Sequence, residues 1–319
     1  MSPYSQGIDT IVLIAHYEAF KKMADKLGLT MQPMNPNHNL YTKILKEVKA
    51  DTKQRRKKDN FTPNIEIVKL PKVEKGEKKG KAKALYISVV RNTPTLFNVA
   101  THNKKPKDSF CMLIFAGLHQ PQRPIYSKSI KIISKFLKRK AFKLHRLDFS
   151  KDRKDPRPID KEGLKSFIEC FKPYANERNS ELFKNSYYAN ITNHKSITKI
   201  NYYSKEIKTK EKDKKVSIKY KYWKRLEVGL TFDVTKAKSF NFVDYINSMD
   251  FLNDFSDLEA MAKRAGIKNC DNDYLEYQIT SFLDNRFLNS SKNRKQFNLS
   301  EGVEFFKKSE SKLKRSLLF

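Results

Sequence analysis

Cysteine is scarce in this sequence, and the few cysteines are far apart. The 319 residues contain three, Cys111, Cys170 and Cys270, and no CxxC pair. A disulfide framework needs numerous cysteines, and a cysteine-ligated zinc site needs closely spaced ones. The sequence therefore predicts neither feature, and the scarcity fits a reducing, cytoplasmic environment.

Long apolar runs are missing as well. No stretch reaches the roughly 18 apolar residues that a membrane-spanning helix needs. The short apolar run at residues 8–15 has no basic flank before it and no small-residue cleavage site after it, so it does not match a secretion signal. We therefore expect a soluble protein with no membrane partner.

Acidic residues are greatly outnumbered by basic ones. The chain has 66 Lys and Arg against 35 Asp and Glu, which gives a net charge of +31. A protein with this charge repels itself, and a polyanionic partner relieves the repulsion by neutralising charge and releasing counterions. Nucleic acid is therefore the leading partner. The alternative is drift towards lysine, asparagine and isoleucine in an AT-rich genome, without selection for binding.

Apolar and aromatic residues are abundant enough for a folded core. They include 22 Phe and 15 Tyr, and the hydrophobic fraction is 39%. Strand-like and helix-like segments alternate up to Asp233, and helical patterns follow alone. This order predicts an α+β fold with a largely antiparallel central β-sheet, helices packed on one face and a C-terminal helical region. We expect a main domain over 1–235 and the helical region over 236–319. Strands are predicted at 8–15, 64–70, 84–90, 95–101, 109–117 and 142–150, and in three segments between 182 and 232.

A predicted helix at 125–140 carries lysines on one side. Its apolar residues recur at helical spacing and should pack on the sheet. The opposite side is either an ordinary solvated face or a surface that meets DNA. Its lysines are Lys128, Lys131, Lys135 and Lys138.

Ionisable residues collect on one face of several predicted strands. Side chains alternate across a strand, so residues two apart share a face. If the strands are neighbours, carboxylates and a phenol converge on one side of the sheet, while Tyr202 points the other way. The faces group Arg146 with Asp148, Arg225 with Trp223 and Glu227, and Tyr203 with Lys199, Asn201 and Lys205, while Asp9 opens the first strand.

Carboxylates and a tyrosine in a very basic protein indicate cleavage of a DNA phosphodiester by a phenol. Carboxylate oxygens hold Mg²⁺ or Mn²⁺, and such an ion draws charge from the phosphate. A phenol, whose ordinary pKa is about 10, needs help from a lysine or the metal to attack at neutral pH. The alternative is that Asp148 and Glu227 simply form ion pairs with Arg146 and Arg225 on a solvent-facing sheet.

Four motifs, in matching order, resemble those of the filamentous bacteriophage replication initiators of the gene II protein type. The motifs are GIDTIVLI, HRLDFS, ITKINYYSK and KRLEVGL, and they span residues 7–233. The rolling-circle plasmid initiators are a more distant resemblance. The resemblance implies a site-specific single-strand endonuclease and ligase that opens a replication origin, joins a tyrosine to the 5′-phosphate and leaves a 3′-hydroxyl as primer.

The resemblance also implies roles for individual residues. Tyr203 matches the nucleophile, and the neighbouring Tyr202 is the alternative. Arg146 and Arg225 are phosphate clamps or orient the carboxylates, and the lysines at 128–138 contact DNA. The remaining roles are a catalytic lysine, Lys205, and the Mg²⁺ or Mn²⁺ ligands Asp148, Glu227 and Asp9.

The expected partners are single-stranded or supercoiled origin DNA and a host helicase and polymerase. Two other functions stay open. One is a non-catalytic DNA- or RNA-binding protein whose tyrosines stack on bases. The other is a tyrosine recombinase, which is disfavoured because no HxxR signature precedes a C-terminal tyrosine. Histidine-based rolling-circle nucleases also fit poorly, because no HxH motif occurs.

Overall fold

The structure is a computed structural model, and it describes part of the chain. The described residues are 4–37, 41–42, 44–45, 61–70, 85–119, 127–154, 175–183, 186–191, 196–210, 222–235, 239–246 and 248. Outside them lie a further helix that the sequence predicts at 159–171, two basic segments at 52–60 and 72–83, and the part of the predicted C-terminal helical region beyond residue 250.

The described residues contain ten strands in one sheet. Their order is β2-β3-β4-β5-β1-β6-β10-β9-β8-β7, and the pairs β1–β5, β2–β3, β3–β4, β4–β5, β7–β8, β8–β9 and β9–β10 are antiparallel. The α+β class with a largely antiparallel sheet is therefore confirmed. The strands are β1 Tyr4–His16, β2 Met31–Pro33, β3 Asn64–Lys69, β4 Tyr86–Arg91, β5 Phe110–Ala116, β6 Lys143–Lys154, β7 Ala175–Phe183, β8 Ser186–Ile191, β9 Ile197–Ser204 and β10 Trp223–Thr231.

Five helices are delimited within the same residues: α1 Tyr17–Lys26, α2 Pro94–His102, α3 Ser127–Leu137, α4 Lys205–Lys210 and α5 Phe242–Ile246. None of the described helices is long and apolar enough to cross a membrane.

The end of α1 is a Schellman motif, in which the Gly28 N–H donates to Asp25 O at 3.0 Å and the Leu29 N–H donates to Ala24 O at 2.9 Å. Gly28 has a φ of 62°, a conformation that glycine adopts without a steric penalty.

The chain divides into two compact units. The first contains the described residues of Met1–Asp9, Leu147–Thr231 and Tyr245–Phe319, and the second those of Thr10–Arg146 and Phe232–Asp244. Strands β1 and β6 each contribute residues to both units. The predicted boundary at residue 235 stays a prediction, because nearly all of 236–319 lies outside the described residues.

Within the second unit, helices pack on both faces of the strands. Ile114 of β5 packs in one buried cluster with Leu96 of α2. Phe115, its neighbour on the strand, points the other way and contacts Phe136 of α3 at a ring distance of 6.0 Å. Phe136 in turn contacts Phe20 of α1 at 6.1 Å. The prediction of helices on one face is therefore wrong for this unit.

The segment 95–101, predicted as a strand, forms most of α2 instead. Thr93 caps this helix, because its hydroxyl accepts a hydrogen bond from the Leu96 N–H at 3.3 Å. Pro94 occupies the first turn, where its fixed φ favours a helix and its missing N–H costs nothing. These start signals outweigh the β-propensity of the following residues.

Within the first unit, β8, β9 and β10 form an antiparallel meander. The sequence predicts that the first two of the three segments between 182 and 232 form a hairpin, and the antiparallel pairing of β8 with β9 confirms this. In the β9–β10 pair, Tyr203 lies opposite Arg225 and Asn201 lies opposite Glu227. Opposed residues share a face, so Tyr203, Arg225 and Glu227 are placed on the same side of the sheet. Strand β9 then runs directly into α4.

Candidate active site

The side chain of Arg225 is the centre of a buried charged cluster in the first unit. It is 0% exposed. Its Nε and Nη2 atoms donate to the two oxygens of Asp152 at 2.6 and 2.7 Å, and Nη1 donates to Asp9 Oδ1 at 3.1 Å. Nη1 also lies 3.8 Å from Glu227 Oε1. A buried guanidinium costs several kcal/mol unless it is paired and hydrogen-bonded, and these three carboxylates supply the partners.

The Tyr203 phenol joins this cluster. Its hydroxyl donates a hydrogen bond of 2.5 Å to Glu227 Oε1, and the residue is 1% exposed. Burial and the charge of Glu227 raise the pKa of Tyr203 well above its ordinary value, although Arg225 acts in the opposite direction. The resting phenol is therefore protonated, and Glu227 is placed to take its proton.

Two lysines of α4 lie beside the tyrosine. Lys208 Nζ is 4.0 Å from the centre of the Tyr203 ring and 3.4 Å from Tyr188 Oη, to which it donates. The Tyr188 and Tyr203 rings stack with centres 6.4 Å apart. Lys205 Nζ lies 5.9 Å from the Tyr203 ring and 6.0 Å from the Trp223 ring. The Trp223 ring is also 5.7 Å from Arg225 Cζ.

Lys205 has an unusual environment for an ammonium group. Burial and the nearby positive charge of Arg225 lower its pKa to about 8. The residue opens α4, so the prediction that it continues the β9 face is wrong. It nevertheless comes close to Tyr203, because the helix begins immediately where the strand ends.

Glu206 anchors α4 against the start of β10. Its Oε2 atom accepts a 2.6 Å hydrogen bond from the Tyr222 N–H, and its Oε1 atom accepts one of 2.7 Å from Lys210 Nζ. The bond to the Tyr222 backbone ties the helix to the residue that precedes β10.

The structure separates the two candidate tyrosines. Tyr202 lies opposite Leu226 of β10 and Tyr187 of β8, so it shares the sheet face opposite to that of Tyr203. Of this pair of neighbours, Tyr203 is the one whose hydroxyl bonds a carboxylate of the cluster.

Two roles were predicted for Arg225, binding a DNA phosphate and orienting the carboxylates. Its guanidinium has no exposed surface and directs its donors at Asp152 and Asp9. These contacts fit the second role, and the binding of DNA by Arg225 stays a prediction.

The other predicted site residues have the following positions. Asp148 is buried, and its Oδ2 atom is 3.6 Å from Lys199 Nζ. Arg146 is half-buried and belongs to the second unit, as do the lysines of α3. Of those lysines, Lys128, Lys131 and Lys135 are exposed and Lys138 is half-buried.

The carboxylates do not fit a divalent-metal site as they are arranged. No group of three or more His, Cys, Asp and Glu among the described residues is placed to hold a metal ion. Asp9, Asp152 and Glu227 all face the guanidinium of Arg225, which occupies the space between their oxygens. The requirement for Mg²⁺ or Mn²⁺ that the resemblance implies stays a prediction.

Sequence reasoning missed Asp152 and Lys208. Asp152 lies on β6, which extends to Lys154, four residues beyond the predicted end. Continuing the alternation from Asp148 by two steps would have found it. Lys208 offered no such signal, because its approach to Tyr203 depends on the turn from β9 into α4.

Comparisons with known proteins gave few similarities. No protein-family model and no curated protein matches the chain. One similar solved structure is that of a rolling circle replication initiator protein from Geobacillus stearothermophilus. Its TM-score is 0.32 and its sequence identity is 11%, with 82% of this chain and 85% of that chain covered. A likeness this weak carries no argument about the activity of the chain.

Proposed function

We propose that the protein is a site-specific DNA-nicking and DNA-joining enzyme that initiates rolling-circle replication, with Tyr203 as the nucleophile. One observation carries the proposal: the Tyr203 hydroxyl donates to Glu227, and Arg225 contacts the same Glu227 oxygen. A hydroxyl bound to a base that a third group orients is the usual arrangement of an activated nucleophile. The net charge of +31 supports a nucleic-acid substrate.

In the proposed reaction, Tyr203 Oη attacks the phosphorus of one phosphodiester. Glu227 takes the phenolic proton, and Arg225 holds the carboxylate in position. The bond from phosphorus to the 3′-oxygen breaks, the 3′-oxygen leaves as a hydroxyl after gaining one proton, and the tyrosine stays joined to the 5′-phosphate. Because the phosphodiester is exchanged rather than hydrolysed, a later attack by a 3′-hydroxyl can reverse the step and close the strand.

The burial of Tyr203 favours one other function. A phenol that is 1% exposed and bonded into an ionic cluster also fits a structural role in a non-catalytic DNA- or RNA-binding protein. The two functions differ in one product, because only the enzyme forms a covalent bond to DNA.

A covalent-adduct assay tests the proposal. The full-length protein is incubated with single-stranded origin oligonucleotides in Mn²⁺, in Mg²⁺ and in EDTA, and adducts are sought on denaturing gels and by mass spectrometry. Tyr203→Phe should abolish the adduct because it removes the attacking oxygen, whereas DNA affinity should change less than about threefold.

Tyr202→Phe is the matched control, since it removes the neighbouring phenol on the other face of β9 and should leave the adduct yield unchanged. An adduct that survives Tyr203→Phe would reject the assignment. The absence of any wild-type adduct under all three ionic conditions would favour the binding protein.

A further inference from the structure

Lys208 has a distinctive position among the lysines of the described residues near Tyr203. Its ammonium nitrogen is 4.0 Å from the Tyr203 ring centre and 5.4 Å from the Tyr188 ring centre. It also donates to the Tyr188 hydroxyl at 3.4 Å. A positive charge is therefore held directly beside the proposed nucleophile by two stacked aromatic rings.

Each of these contacts is individually modest in energy. A cation over an aromatic face gains about 0.5–2 kcal/mol, while a charge-assisted hydrogen bond to a phosphate oxygen is among the stronger contacts that proteins make. The lysine side chain is long and flexible, so its nitrogen can leave the rings without movement of the backbone. A phosphate that enters beside Tyr203 therefore comes within reach of the Lys208 ammonium group.

Lys205, the lysine that the sequence pattern singled out, is less suited to this task. Its nitrogen is farther from the Tyr203 ring, at 5.9 Å, and at a similar distance, 6.0 Å, from the Trp223 ring. It also lies close enough to the buried Arg225 for that charge to lower its pKa. Lys205 thus belongs to the interior cluster, while Lys208 covers the phenol.

We propose that Lys208 is a catalytic residue that binds the non-bridging oxygens of the phosphate attacked by Tyr203. This inference rests on the proposed nicking function. As the Tyr203 oxygen approaches, negative charge accumulates on the equatorial oxygens of the phosphorus, and a positioned cation stabilises that charge more in the transition state than in the bound substrate. Loss of Lys208 should therefore slow the covalent step more than it weakens DNA binding.

The test compares two neutral variants of the same helix, Lys208→Met and Lys210→Met. Both remove one positive charge from α4, but Lys210 has a side chain that is 61% exposed and pairs with Glu206. Adduct formation is measured at saturating oligonucleotide, and DNA affinity is measured separately by filter binding. Lys208→Met should slow adduct formation by about a hundredfold with affinity within about threefold, while Lys210→Met changes neither appreciably.

A modified substrate isolates the contact with phosphate. With a methylphosphonate at the mapped nick site, one anionic oxygen is missing, so the difference between wild type and Lys208→Met should shrink to less than about tenfold. Lys208→Arg, which keeps the charge, should retain more activity than Lys208→Met. If thermal melting shows that Lys208→Met does not fold, Lys208→Gln, a second neutral variant, replaces it in every comparison.

Each result has a distinct meaning. Equal rates for Lys208→Met and Lys210→Met, with a wild-type adduct present, would overturn the role of Lys208 and leave the nicking function standing. A hundredfold difference that persists on the methylphosphonate would also overturn it, because the lysine would then act on something other than that phosphate. The absence of a wild-type adduct would reject the nicking function itself, and this inference with it.

Discussion

Arg225 shows how one residue can organise a site. It draws Asp152 of β6 and Asp9 of β1 into direct hydrogen bonds, and Glu227, two residues along its own strand, accepts the hydrogen bond of the Tyr203 hydroxyl. The ionic contacts satisfy a guanidinium that would otherwise be too costly to bury. The same guanidinium lies 3.8 Å from the Glu227 oxygen that accepts the hydrogen bond of the phenol.

Removing the arginine should therefore be very costly to stability. Arg225→Met leaves three clustered carboxylates without their shared counter-charge, and we expect the free energy of unfolding to fall by about 3–5 kcal/mol. Urea unfolding at constant pH and ionic strength measures this change, provided that the variant still folds enough to give a transition.

Lys131→Met, which neutralises an exposed lysine of α3, serves as the control and should stay within about 0.5 kcal/mol of wild type. A loss below about 1 kcal/mol for Arg225→Met would contradict the prediction, because it would mean that the carboxylates do not depend on the guanidinium.

Part of this site was predictable from strand alternation. The period of two placed Tyr203 on one face and Tyr202 on the other, and it grouped Arg225 with Glu227. Proximity across strands is a property of the sheet order, which no single segment encodes. For this reason the sequence could not indicate that Asp152 would accept both hydrogen bonds of the bidentate contact with Arg225. Nor could it indicate that the Arg225 side chain would be buried.

At the level of elements, local signals decided several outcomes. The end of α1 was predictable from Gly28, because the Schellman motif needs a residue with positive φ there. The segment 95–101 was wrongly predicted as a strand, because its β-branched and aromatic residues also suit a strand. The deciding features were the capping Thr93 and the proline after it, two residues that precede the apolar pattern.

The left-handed conformation of Gly28 at the end of α1 can be tested by substitution. A Cβ atom added at Gly28 would meet no atom within 4 Å, so Gly28→Ala changes the backbone preference without a steric clash. We expect a loss of about 1 kcal/mol, because an L-residue is strained at this φ. Gly28→Asn should lose less, since asparagine tolerates the left-handed region better than alanine does.

Thermal or urea unfolding of the two variants under identical conditions measures the difference. Equal stability of Gly28→Ala and wild type would show that α1 can end in another way.

For the whole molecule, the charge is the dominant property. A net charge of +31 on 319 residues indicates a polyanionic partner from composition alone. Charge does not locate the binding surface, because lysines are spread along the chain. The α3 lysines are one described candidate surface.

The salt dependence of DNA binding can distinguish a localised surface from general attraction. If the α3 lysines contact phosphates, replacing all four with glutamine should lower the slope of log K against log salt by up to about 0.7 per lost contact on single-stranded DNA. Binding is measured between low and moderate salt by filter retention. The residues replaced are Lys128, Lys131, Lys135 and Lys138.

The matched control removes four exposed lysines from other parts of the same unit: Lys22, Lys26, Lys104 and Lys105. Both sets lower the net charge equally, so equal effects would mean that the α3 face has no special role. A larger effect of the α3 set would assign phosphate contacts to that helix.

The chain contains a single tryptophan, and it lies beside Arg225 and Lys205. Excitation at the red edge of the indole band therefore selects one chromophore, with two cations near its ring. Any ligand that displaces those cations or admits water alters the emission of that chromophore, so the native protein carries a built-in optical reporter of events next to Tyr203.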